Sequence, residues 1–119
     1  MMEQVVLRYQ QYMDTMGRWG DGLATEEEMQ AAIRAYEESC LTFQQQAPLC
    51  IYGKRGPLAN VRDQQKIEHV FAGLGISGYQ LNRDTWIYYV EGTEKQLTDL
   101  VASLDAFFPG ALVMHLKPR

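Results

Sequence analysis

The chain has 119 residues, 46% of them apolar and 22% charged, with a formal net charge of −4. That is material for one folded domain with its own core, held without a metal or disulfide staple. The mild negative charge speaks against a dedicated nucleic-acid binder, which carries a basic stripe, and two cysteines with two distant histidines fall short of a zinc site.

No apolar run approaches the length of a membrane span, so no membrane partner is expected. The start, MMEQVVLRYQQYMDTM, is amphipathic and lacks the basic, apolar and small-residue order of a signal peptide. A cytoplasmic location follows, with Cys40 and Cys50 as free thiols in a reducing environment. A Cys40–Cys50 bridge stays open, because geometry decides it.

Val5, Tyr9, Tyr12, Met13 and Met16 are spaced as one apolar stripe of a helix. The three glycines of GRWGDG, residues 17–22, are expected to stop it, with Trp19 folding back onto a neighbour. Thr25 followed by Glu28 has the capping-box spacing, and Glu26, Glu27 and Glu28 suit the positive end of a helix dipole. Met29, Ala32, Ile33, Tyr36, Cys40 and Phe43 then share a face, and Pro48 ends the helical run. The short link predicts an antiparallel two-helix hairpin.

From Leu49 the pattern changes. LCIYG reads as a strand, and Asn60 can cap a helix that buries Ile67, Val70, Phe71 and Leu74 and ends at Gly73 and Gly75. SGYQL and TWIYYV, joined by NRD, form a hairpin pattern. Thr93 with Gln96 makes a second capping box, opening a helix with Leu97, Leu100, Val101, Leu104 and Phe108 inside. Pro109 and Gly110 break it, ALVMHL is a closing strand, and Lys117, Pro118 and Arg119 form a polar tail.

The expected fold class is therefore α+β in one domain, residues 1–119. A helical extension over 1–47 precedes a ferredoxin-like βαββαβ core over 48–119, with a four-stranded antiparallel sheet. Right-handed crossovers give the order 4-1-3-2 with both helices on one face.

The stretch GISGYQLNRDTWIYYVEGTEKQLTDLVASL, residues 75–104, resembles the middle of the blue-light-sensing flavin domains known as BLUF, and Tyr52 in IYGKR matches their strand tyrosine. The resemblance implies the fold. It implies no flavin, since the family's flavin-facing glutamine falls near Tyr88 and its helix asparagine has no counterpart between Ile67 and Leu74. No cofactor is expected.

Three groups of residues invite a function. In GKRGPLANVR, Lys54, Arg55 and Arg62 with Gly53 and Gly56 could hold an anion at a helix start, as a phosphate or acyl-phosphate enzyme would; a solvated corner with Pro57 is the commoner outcome. His69 and His115 have no nucleophile at a telling spacing and are expected as partly buried structural residues. Trp86, Tyr88 and Tyr89 make the hairpin apolar on both faces, with Trp86 and Tyr88 on one and Ile87 and Tyr89 on the other. One face then needs a cover: the N-terminal hairpin, a second copy, a protein partner or a ligand.

The acidic residues 26–28 and 37–38 read as a solvated face, and no metal or catalytic set stands out. The expected function is non-catalytic: an interaction or regulatory protein, inhibitor-type regulators included. It would bind a protein partner or itself through Trp19, Trp86, Tyr88 and Tyr89 or through the N-terminal helices. The alternatives are a small-ligand sensor, for a flavin-like or anionic molecule, and the anion-site enzyme.

Overall fold

The computed structural model describes residues 1–117; Pro118 and Arg119 of the expected polar tail lie outside the described residues. The chain divides into two compact units, Met1–Gln46 and Ala47–Arg119.

The first unit is a helical hairpin of α1 (Met2–Gly20) and α2 (Glu26–Gln46). α1 runs through Gly17 and ends at Gly20, inside the expected GRWGDG stop, with Asp21 as its cap and Gly22 at φ 74°. One exposed glycine costs a helix only about 1 kcal/mol, so the chain turns at the glycine that adopts positive φ and not at the first one it meets. α2 starts as its spacing predicts. Thr25 Oγ1 accepts from the Glu28 amide at 3.1 Å, and Glu28 Oε1 accepts from the Thr25 amide at 3.4 Å. Val5, Met29 and Phe43 are buried. Tyr36 of α2 stacks on Tyr12 of α1, with centroids 6.0 Å apart and planes 10° from parallel.

The second unit is α+β: β1 (Leu49–Gly53), α3 (Val61–Gly73), β2 (Tyr79–Asn82), β3 (Ile87–Val90), α4 (Glu94–Phe107) and β4 (Leu112–Leu116). The sheet order is β2-β3-β1-β4 with every pairing antiparallel; counted from the β4 edge it is 4-1-3-2. Alternation sends Leu49 and Ile51 of β1 and Tyr88 and Val90 of β3 to one face. There they form a core with Ile67 and Phe71 of α3 and Leu97, Leu100 and Leu104 of α4. Each such side chain contributes about 1.5–3 kcal/mol on burial.

Both helix starts are capped. Asn60 Oδ1 accepts from the Arg62 and Asp63 amides, and Thr93 and Gln96 complete their box. Gln96 also donates through Nε2 to the Leu74 carbonyl at 3.2 Å, tying the start of α4 to the end of α3. The hairpin loop differs from expectation. Trp86 lies outside β3, in the turn, with φ 57°. The left-handed position after such a turn usually carries glycine or asparagine, so the sequence there reads as strand. The Trp86 amide donates to the Asn82 carbonyl at 2.7 Å, and Asn82 Oδ1 accepts from the amides of Asp84 and Thr85. Trp86 therefore does not alternate with Tyr88.

Candidate functional site

The basic corner after β1 folds in on itself. A Cβ on Gly53 would collide with the Gly56 carbonyl oxygen, so glycine is needed there for backbone to meet backbone. The Lys54 amide donates to the Ala111 carbonyl at 2.9 Å. Leu58 is buried, and its carbonyl accepts from Gln64 Nε2 at 2.7 Å. The first amides of α3 are taken by Asn60. Amides already bonded to the protein are not offered to an anion. Lys54 and Arg55 are exposed in the corner. Arg62 instead lines a cleft with Lys66 and His69, one and two turns further along α3.

Both histidines are exposed, which corrects the expectation of partial burial. His69 sits on the outer side of α3 because its neighbours Ile67 and Phe71 take the core side. His115 lies on β4 with its Nε2 2.9 Å from the Tyr52 hydroxyl. Register sets Gln80, Tyr89, Cys50 and His115 in one row across all four strands, on the face opposite the α3–α4 core. That row brings a thiol opposite an imidazole, which sequence spacing could not reveal. Burial pushes the Cys50 thiol up, against a smaller downward pull from Lys117. The sulfur is thus held as a thiol and not as the thiolate a nucleophile requires. Burial likewise raises the Tyr89 phenol.

Tyr88 is fully buried, which removes it from any contact surface. Its hydroxyl donates to Glu68 Oε2, and Tyr79 donates to Glu68 Oε1, both at 3.0 Å. One carboxylate thus satisfies two phenols beneath α3, and Phe71 packs against both rings. Burial first, and the bond to Glu68 second, raise both phenols. Glu68 was not singled out from the sequence; its spacing from Phe71 on a predicted helix was the available signal.

Trp19 is 50% exposed. It belongs to a larger feature of α1. Val6, Tyr9, Met13 and Met16, at 37–48% exposure, recur at i, i+3, i+7 and i+10. That is the a/d spacing of a helix-pairing seam. Only Val5 of α1 is buried. Tyr9 and Tyr12 both pack against Tyr36 of α2, with ring centroids 5.5 and 6.0 Å away, so the outer edge of the stripe is carried by Val6 and Met13. The Tyr36 phenol is pushed up to about 12 by burial and by its hydrogen bond with Cys40. Arg18 links the helices through Glu28 at 3.5 Å.

Among the described residues no group of three histidine, cysteine or acidic side chains could hold a metal ion, and no helix is long and apolar enough to cross a membrane. No protein-family model, curated protein or solved structure gives a significant match to this chain.

Proposed function

We propose that this protein is a non-catalytic interaction protein that pairs with a second copy of itself through α1, and acts in the cytoplasm as a regulator. The observation that carries the reading is the exposed Val6–Tyr9–Met13–Met16 seam. Tyr9 already packs on Tyr36, but Val6 and Met13 stay nearly half exposed, which leaves α1 with apolar surface that a second helix would cover. The seam suits its own copy. In a heptad frame with Val6 and Met13 at a, the flanking e and g positions from Gln10 to Trp19 hold Gln10, Tyr12, Gly17 and Trp19. No like charges oppose each other there, and Tyr and Trp are residues enriched in protein contacts. Of the expected anchors, Trp19 lies on this flank. Trp86 and Tyr89 belong to the second unit and are half-buried.

The second unit is the folded platform. Its strand order and antiparallel pairing support a ferredoxin-like βαββαβ reading, and the BLUF resemblance of residues 75–104 adds to that reading of the fold without adding a flavin. The Lys54 and Arg62 amides, already bonded within the protein, and the raised Cys50 thiol favour binding over catalysis.

A photo-crosslinking amino acid at position 13 tests this reading. It is expected to give a covalent dimer of the full chain on irradiation, whereas the same group at the exposed Arg34 of α2 gives none. Equal yields from the two positions would dismiss a specific α1 seam.

A further inference from the structure

The second unit carries a cleft of about 660 Å³ between α3 and the end of α4. That volume lies within the roughly 300–1,000 Å³ of small-ligand sites. Its chemistry is divided. Arg62, Lys66 and His69 form one polar wall, spaced i, i+4 and i+7 on α3. Val70, Phe107 and Phe108 form an apolar wall. Phe108 and Val70 rest against the core, while Phe107 is 70% exposed.

Two features are out of keeping with an ordinary solvated surface. The chain is net acidic, yet the charged side chains lining this cleft are cationic only. Among the described residues, neither Arg62 nor Lys66 forms an ion pair with a carboxylate. A large aromatic ring is left in water beside them, where covering it would be favourable. A guanidinium fork and an ammonium are the usual holders of a carboxylate or phosphate group, and two phenylalanine rings lining the same cleft suit a flat apolar body.

We propose that this cleft binds a small anion joined to a flat apolar ring, with Arg62 and Lys66 holding the anionic group and Phe107 and Phe108 covering the ring. His69 supplies a further nitrogen for a hydrogen bond to either part. The site is separate from the corner at residues 53–60, where the Lys54 amide is bonded to the Ala111 carbonyl. It is also separate from the α1 seam, so failure of one proposal leaves the other standing.

The test is a titration of the ¹⁵N-labelled full chain, followed by amide shifts, with 1-naphthyl phosphate, 1-naphthol and inorganic phosphate as probes. Naphthyl phosphate is expected to shift amides of residues 62–70 and 104–108 saturably. It should bind at least about tenfold more tightly than either fragment, since each half contributes. Phe107→Ser and the double variant Arg62→Gln/Lys66→Gln alter only exposed side chains. Each should keep the native spectrum and weaken binding by about tenfold or more. Shifts that do not saturate, shifts confined to residues 1–46, or affinity unchanged in both variants would overturn the proposal. Inorganic phosphate binding as tightly as naphthyl phosphate would overturn it as well.

Discussion

Glu68 shows how one residue can organise a core. Its two carboxylate oxygens accept from Tyr79 and Tyr88, so the hydroxyls enter the protein without losing a partner. Tyr88→Phe leaves one oxygen unmatched next to a fully buried ring, and about 1–3 kcal/mol of stability should be lost, read from the urea midpoint. Tyr79→Phe, at a half-buried ring, should cost less. The raised phenols predict a pH effect of definite sign. Tyr36, Tyr79, Tyr88 and Tyr89 all hold their protons more tightly in the folded chain than the ordinary value of 10.0. Their contribution is complete below pH 10 and is lost as pH rises beyond it, for Tyr36 up to about 12. Thermal midpoints should therefore fall steeply above pH 10. Absorbance near 295 nm, expected to be a usable phenolate signal, should show part of the seven tyrosines ionising late in the native protein and all together in urea. Gly53→Ala should cost about 2–4 kcal/mol, because its Cβ meets a carbonyl of the backbone and not a side chain that can move aside.

At the level of elements, the caps and the places of the turns were legible, and the residue that takes positive φ in each turn was not. Thr25 with Glu28, Asn60, and Thr93 with Gln96 each announce a helix start through a side chain that serves the amides two or three residues ahead. That chemistry is local, so spacing reveals it. Asn60→Ala should cost about 1 kcal/mol in a denaturant titration, freeing two amides of α3. The continuation of α1 past Gly17 and the left-handed Trp86 depend on which residue the surrounding chain forces into positive φ, and residue type alone misleads there. The candidate sites divide the same way. Arg62 was visible as a cation near a helix start. Its joining Lys66, His69, Phe107 and Phe108 needed α3 and α4 to be placed side by side. The row Tyr89–Cys50–His115 needed the register of three strands. The exposure of both histidines followed from which helix and strand positions the core claimed, a tertiary outcome no pairwise spacing encodes.

For the whole molecule, the α1 seam is the proposed interface between copies. The apolar residues of that helix were evident from periodicity, which reports a stripe and not what covers it. The fold supplies the missing fact: Val6, Tyr9, Met13 and Met16 stay exposed while Val5 is buried. The deciding measurement is the molar mass of the full chain by sedimentation velocity over a wide concentration range, for the native protein and for Val6→Asp/Met13→Asp. The native chain should move reversibly from the 13.6 kDa monomer to a dimer as concentration rises. The variant, with unchanged circular dichroism, should remain a monomer throughout. A native protein that stays monomeric at every concentration, or a variant that dimerises as well as the native chain, would rule out the α1 interface.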